Sequence, residues 1–364
     1  MGNVTHPDTC QAAVFDGVGQ PIRMATFPLV EPPAGHVLAK VRMATICGSD
    51  LHSVSGRRIE PAPSILGHEI VAQVVELGEG VSESANGAPL EQGDRVTFTI
   101  MANCGGCENC RAGLPQKCES LFKYGHTRIG DGLALSGGYA EYLYLRPGTG
   151  IFHVPTELSD KEVCPANCAL ATVINGLETI EVNAGDRVLV QGCGLLGLYC
   201  TMLLKERNVS EIVVTDVADG RLDAARNMGA DETLNVTGMD DQKLIGALGK
   251  GRFDCVVEVC GNPSVVRPGI QALGLRGRYL IMGLLSAGSN FTVDADTIAR
   301  HYLTIKGIHN YAPWHLAQGL DFLARTRSRF DFKSLVGAVM PLSDAGRAFE
   351  EAATGSAVRV AIVP

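Results

Sequence analysis

The sequence predicts an α/β protein of two domains, and three observations carry that prediction. Residues 1–160 are rich in short β-like runs broken by Gly and Pro, which suits an irregular, mostly β domain. Beyond Asp186 strand-like runs alternate with helical ones, the pattern of a doubly wound parallel sheet with right-handed crossovers. A length of 364 residues is enough for two separate cores.

In the first half the expected strands are Ala12–Phe15, Val37–Met43, Ile70–Leu77, Arg95–Ile100 and Tyr139–Leu145. In the second, Arg187–Gln191 reads as a buried strand, Leu195–Arg207 as a helix and Glu211–Asp216 as the next strand. A helical Gly220–Met228 follows, then strands at Phe253–Val259 and Arg278–Met282 around a helical Pro263–Leu273. After Gly307 a helix (His315–Arg325) and a strand (Val358–Val363) remain. That tail is too short for a third domain and is expected to complete the first. The expected division is residues 1–165 with 308–364, and residues 166–307.

Composition narrows the function. Hydrophobic content of 46% with 19% charged residues describes an ordinary globular chain. A net charge of −8 argues against nucleic acid as a partner, because phosphate binding wants a basic surface. The start MGNVTHPDTC has neither the basic nor the apolar region of a signal peptide. Gly2 is followed by Thr5 and His6, which leaves the myristoylation pattern incomplete. No apolar run is long enough for a membrane span. Twelve cysteines in such a chain read as metal ligands and buried thiols in a reducing, cytoplasmic setting.

Four of those cysteines, Cys104, Cys107, Cys110 and Cys118, follow the pattern C-x2-C-x2-C-x7-C. A tight run lets four thiolates converge on one ion, and four sulfurs leave no open position, so structural zinc is expected. Iron–sulfur clusters also use Cys-x2-Cys steps, but their compact run has three residues before the last Cys, then Pro. Here there are seven, and Glu119 follows. A disulfide pair fits poorly with a chain lacking export signals.

Gly192-x-Gly194-x-x-Gly197 follows the strand Arg187–Gln191 and opens the next helix. In that context the glycines permit a tight turn, close approach of a pyrophosphate and packing of helix on strand. The helix N-terminus, with Leu195 and Leu196, attracts the phosphates. Asp216 lies nineteen residues past the last glycine, where an acid binds the ribose 2′-hydroxyl. A carboxylate there repels a 2′-phosphate, so NAD is the expected coenzyme, with Arg221 able to soften that preference.

Upstream, Cys47-Gly48-Ser49-Asp50-Leu51-His52 and Gly67-His68-Glu69 bring further zinc-ligand types. A catalytic zinc needs three protein ligands and one open position. Taken in order, these two phrases, Gly93–Val96 (GDRV), the four-Cys lobe, Gly137–Tyr142 (GGYAEY) and Gly185–Gly197 (GDRVLVQGCGLLG) resemble the zinc-dependent medium-chain dehydrogenases, the alcohol dehydrogenase family, across nearly the whole chain.

The resemblance implies a GroES-like mostly-β catalytic domain beside a Rossmann coenzyme domain, two zinc ions per chain, and a homodimer or homotetramer. It makes Cys47 and His68 ligands of a catalytic zinc. It places Ser49 and His52 on a proton path, Asp50 behind the His68 imidazole, and Glu69 beside the metal as support or exchangeable ligand. The third ligand comes from KEVCPANCALAT, which offers Cys164 and Cys168. Cys168, twenty-four residues ahead of Gly192, matches the family spacing, with Glu69 in reserve. Ala72 replaces a family glycine in GHEIVAQV.

The implied reaction is hydride transfer between an alcohol and NAD. CGSDLHSVSGRR, LPQKCESLFKYGH and PANCALATV further resemble a bacterial branch associated with phosphonate catabolism. That branch would use Arg57, Arg58, Lys123 and His126 to hold a phosphonate or another anionic group. The alternatives are a polyol or threonine-type dehydrogenase and a catalytically silent NAD-binding protein.

Overall fold

The computed structural model describes residues 6–130, 133–285 and 288–364. Gly2 and Thr5, read above for a lipidation pattern, lie outside the described residues. The chain forms two compact units, residues 1–168 with 311–364 and residues 169–310.

In the first unit β1 (Thr9–Val14) and β2 (Arg23–Pro28) form an antiparallel ribbon. The main sheet contains β3 (Val37–Thr45), β4 (Glu69–Leu77), β5 (Arg95–Ala102) and β6 (Phe122–Lys123) in that order. Two more strands, β7 (Tyr142–Leu145) and β8 (Thr149–His153), pair with β3 and β5. Side chains alternate across a strand. Val37, Ala39 and Val41 of β3 therefore face one core, with Ile70, Ala72 and Val74 of β4, while Leu38 faces another with Ala12, Val14 and Tyr144. Both faces are covered at the two ends of β3, while Lys40 and Arg42 are exposed at its middle. Each fully buried Val, Ile or Leu contributes about 1.5–3 kcal/mol. Ala72 pairs with Val41 and Val96, beside a register shift between Val41 and Met43, so it keeps its ladder partners without the family glycine.

The final segment carries more structure than its sequence suggests. A strand Val336–Pro341 and a helix Ala345–Thr354 precede the strand Arg359–Val363. That last strand lies antiparallel to β3, with Ala361 opposite Thr45. On its other side Thr45 pairs with Glu69 of β4. This register brings Arg359, Thr45 and Glu69 together.

The second unit is a six-stranded parallel sheet. Its strands are β9 (Arg187–Gln191), β10 (Glu211–Asp216), β11 (Glu232–Asn235), β12 (Phe253–Glu258), β13 (Leu273–Ile281) and β14 (Thr304–Gly307). Their spatial order, β11-β10-β9-β12-β13-β14, reverses direction at β9. It is the order of a doubly wound dinucleotide-binding sheet, whose ligands bind where the strand order turns. The segment read as one helix over Pro263–Leu273 begins as a 3-10 turn, Pro263–Val265, and gives way to β13 at Leu273. Leu189, Val256, Ile270 and Tyr279 lie at the centre of this unit's core.

Candidate active site

β3 ends at Thr45, and two residues later Cys47 caps the helix Gly48–Val54. The cap is held from inside the helix: Asp50 accepts the Cys47 N–H at 2.9 Å through Oδ2, as a capping box does. The same oxygen accepts the Tyr139 hydroxyl at 3.0 Å. Asp50 Oδ1 lies 3.4 Å from His68 Nδ1, so one fully buried carboxylate orients the cap and the imidazole together. On the other edge of that ring, Nε2 lies 3.4 Å from Ser49 Oγ.

Cys168 reaches the same place from a turn pinned by Asn167. The Asn167 amide donates to the His68 carbonyl at 3.1 Å and to the Phe98 carbonyl at 3.0 Å. One ligand atom each from Cys47, His68, Glu69 and Cys168 lies within 4.8 Å of the others. Two thiols and an imidazole so close together suit a tetrahedral zinc site with a fourth position left over.

Glu69 is occupied elsewhere. Its Oε2 accepts from Thr45 Oγ1 at 2.6 Å and from Arg359 Nε at 2.8 Å, and its Oε1 accepts from Arg359 Nη2 at 2.9 Å. Arg359 Nη2 also lies 3.5 Å from Cys47 Sγ. The Cys47 thiol is held well below the ordinary cysteine range by its hydrogen bond with Cys168; burial opposes this, and Arg359 and His68 assist it. Cys164 points away: fully buried, it donates to the carbonyls of Met43 at 3.4 Å and Glu69 at 3.3 Å. Burial pushes its thiol far up, the state of an inert core cysteine.

Arg359 was not singled out from the sequence, although a signal exists. It interrupts the apolar run Ala357–Val363, and a cation in a buried strand demands a buried anion. Glu69, opening an equally apolar strand, is that anion.

The remaining predicted site residues divide. His52 is exposed on the Ser49 helix, and Arg57 is exposed beyond it. Arg58 and His126 both converge on Glu60. Arg58 Nε forms an ion pair with Glu60 Oε1, and His126 Nδ1 meets the same oxygen at 3.0 Å. The reason is burial, since the Glu60 side chain is only 4% exposed and needs compensating charge. The sequence offered no clue to Glu60. The His126 ring lies beside that of His68, centroids 5.2 Å apart.

In the four-Cys lobe Cys104 and Cys118 Sγ are 3.4 Å apart, and Cys107 and Cys118 Sγ 4.0 Å. A tetrahedron with Zn–S near 2.3 Å has sulfur–sulfur edges of about 3.8 Å, whereas a disulfide needs about 2.05 Å. All four cysteines are free and their sulfurs lie within 4.8 Å of one another. Backbone N–H groups of Gly106 and Cys107 bring the Cys104 thiol down to about 6. The lobe fits zinc.

In the second unit Gly192 turns at φ +107°, and a Cβ on Gly197 would come within 2.1 Å of the Gly192 carbonyl oxygen. Nothing lies within 4 Å of a Cβ at Gly194, so the N-terminus of the helix Leu195–Glu206 is open. This cradle fits a dinucleotide pyrophosphate. Asp216 closes it from β10: Oδ2 accepts the Cys193 N–H at 2.7 Å, and Oδ1 accepts Val217 N–H at 2.8 Å and Ala218 N–H at 3.0 Å. Arg221 Nη1 stands 4.0 Å from Oδ1.

A thiol-rich metal cluster on a β-domain with a doubly wound coenzyme unit defines a metal-dependent, nicotinamide-linked oxidoreductase. Residues 33–156 match the model of the alcohol dehydrogenase GroES-like domain, and residues 196–325 that of the zinc-binding dehydrogenase. An L-threonine 3-dehydrogenase of Saccharopolyspora erythraea is 30% identical over 345 residues, covering 93% of this chain and 94% of its own. A 5-exo-hydroxycamphor dehydrogenase of Pseudomonas putida is 29% identical over 341 residues, covering 92% and 93%. The crystal structure of an alcohol dehydrogenase from Thermotoga maritima superposes with a TM-score of 0.91 at 26% identity, covering 98% of this chain and 99% of that one. The chain belongs to the zinc-dependent medium-chain alcohol dehydrogenase family and is an NAD(P)-dependent enzyme that interconverts alcohols and carbonyl compounds. Among the described residues no helix is long and apolar enough to cross a membrane.

Proposed function

We propose that the chain is a cytoplasmic NAD-dependent alcohol dehydrogenase holding two zinc ions, one in the lobe and one on Cys47, His68 and Cys168. The observation that carries this reading is the convergence of those three side chains with Ser49 Oγ 3.4 Å from His68 Nε2. When bound, zinc supplies Lewis-acid polarisation of the alcohol oxygen and the nicotinamide accepts the hydride. Ser49 Oγ takes the hydroxyl proton, and His52, one turn further along the helix and exposed, passes it to water. Asp50 keeps His68 in one tautomer, and Arg359 adds positive potential that assists the Cys47 thiolate. Glu69, held by Arg359 and Thr45, acts as the buried counter-ion of this cation rather than as a ligand.

NAD is preferred to NADP because Asp216 puts a carboxylate where a 2′-phosphate would sit. Two substrate readings stand. The branch resemblance favours a hydroxylated phosphonate or another anionic alcohol; the 30% identity to an L-threonine 3-dehydrogenase favours threonine or a similar amino alcohol. Incubation with NAD and a panel of simple alcohols, polyols, threonine and hydroxyalkylphosphonates, followed by NADH absorbance, separates them. Absence of NADH formation with every member would sink the enzymatic reading. A second copy of the chain is the expected partner, and light scattering distinguishes dimer from tetramer.

A further inference from the structure

Beside the Cys47, His68 and Cys168 cluster stands a second group of polar side chains with no part in binding metal. It is built from a short turn after β6. Lys123 ends that strand, opposite Met101 of β5, and its carbonyl accepts the Thr127 hydroxyl at 3.2 Å and the His126 N–H at 3.3 Å. Gly125 lets the turn close. It sits at φ +73°, and a Cβ there would come within 2.7 Å of the Gly67 carbonyl oxygen. The turn is thus pressed against the residue preceding His68, which explains why the His126 and His68 rings lie together.

His126 is oriented from behind. With its side chain only 5% exposed, Nδ1 donates to Glu60 Oε1 at 3.0 Å, which leaves Nε2 as the acceptor. That Nε2 is buried and has no hydrogen-bond partner. A buried acceptor without a donor is costly, and such atoms in native proteins call for an explanation. Lys123 raises the same question. It is partly buried, and among the described residues its ammonium has no hydrogen bond or ion pair. The charges that act on it are Arg58, Cys168, Glu60 and Cys47, so it faces the metal-ligand cluster and the Glu60 pair. Arg58 and Glu60 already compensate each other. The unmatched groups in this wall are one positive charge and one hydrogen-bond acceptor.

We propose that Lys123 and the Glu60-held His126 read the substrate, and that the substrate is an alcohol carrying an acidic group and a second hydroxyl. The acidic oxyanion, carboxylate or phosphonate, pairs with the Lys123 ammonium. The second hydroxyl donates to His126 Nε2. Each contact leaves a buried group unsatisfied when the matching substrate group is missing, the arrangement that discriminates most strongly between close analogues. Lys123 and His126 act in specificity, Glu60 as a positioning residue behind His126. This rests on the alcohol dehydrogenase reading given above.

The test uses the zinc-loaded enzyme with NAD and compares kcat/KM for 2-propanol, 1,2-propanediol, 2-hydroxypropanoate, 2,3-dihydroxypropanoate and the two corresponding phosphonates. Wild type should prefer the dihydroxy acids, and the better of carboxylate and phosphonate identifies the acidic group. Lys123→Met should lower the ratio of acidic to neutral substrates by about tenfold or more, with Lys123→Arg recovering part of it. His126→Phe should lower the ratio of diol to monoalcohol to a similar extent. Calorimetry of methylphosphonate binding to the NADH-loaded protein, lost in Lys123→Met, provides a readout independent of turnover. Alcohol oxidation that persists with both ratios unchanged in the variants overturns this inference. Failure of wild type to oxidise any of the six while it oxidises threonine also overturns this inference; failure with threonine and all six overturns the dehydrogenase reading beneath it instead.

Discussion

Arg359 grips Glu69 with two nitrogens, at 2.8 and 2.9 Å, and the same guanidinium lies 3.5 Å from the sulfur of Cys47. Both partners of the ion pair are almost fully buried. Taken alone, such a pair is weak evidence for stability, because desolvating two charges offsets much of their attraction. Its position gives it another role, that of delivering positive potential to a metal-binding thiolate.

Removing one partner is therefore the informative change. Arg359→Met should destabilise the first unit by about 3–5 kcal/mol, since Glu69 is left as an unpaired buried carboxylate. Adding Glu69→Gln should recover part of that loss in denaturant unfolding. Zinc retention at the Cys47 site should fall in both variants. Unchanged zinc affinity would confine Arg359 to a structural role.

Elemental analysis should find two zinc ions per chain. A chelator should strip the Cys47 site first, because it has an open position and the four-sulfur lobe has none. Acid releases zinc as protons compete for the ligands. In the emptied lobe the Cys104 thiol is held at about 6, so its thiolate persists above that pH, is lost as pH falls through it, and zinc rebinding should weaken below it. One zinc per chain, or iron with a visible absorption band, would contradict this.

Cys47→Ala, His68→Ala and Cys168→Ala should each abolish turnover and leave NADH binding intact, because the dinucleotide unit has its own core. Cys164→Ala should stay active, with a modest loss of stability from its buried sulfur. Fluorescence titration with NADH alongside the activity assay separates the two classes of effect. Activity lost in Cys164→Ala and kept in Cys168→Ala would reverse the ligand assignment.

Asp216→Gly should raise the use of NADP relative to NAD, but the change carries a second effect. The Asp216 carboxylate holds the Cys193 amide at 2.7 Å and so braces the glycine turn. Its loss should cost about 1–3 kcal/mol from the unpaired amide and weaken binding of both coenzymes. Coenzyme KM values and thermal unfolding report the two parts separately. A wild type that already prefers NADP would refute the role given to Asp216.

How much of this was legible follows from where the information lies. The lobe, the glycine turn and the strands Arg187–Gln191 and Glu211–Asp216 are local, and spacing alone reveals them. The separation of Cys168 from Cys164 came from family spacing; the structure adds the reason, an Asn167 side chain tied to the His68 and Phe98 carbonyls. The pairs that were missed are non-local or lack a pattern. Arg359 finds Glu69 only through strand register across 290 positions. Glu60 carries no motif and gains meaning only when the turn around Gly125 brings His126 to it. The strand Val336–Pro341 went unread because Gly337 and Ala338 weaken its apolar run, and the helix Ala345–Thr354 because its buried face, Ala345, Ala348 and Phe349, has a single large apolar side chain.

The register that brings Arg359 to Glu69 also sets an order in time. The carboxylate leaves the ribosome 290 residues before its cation. At about 5–20 residues per second that is an interval of about 15–60 s. Throughout it, Cys47, His68 and Glu69 exist without the guanidinium that neutralises them, while the dinucleotide unit, contiguous in sequence over 169–310, is free to fold. The full set of charges around this centre is therefore assembled only after the strand carrying Arg359 has docked on β3.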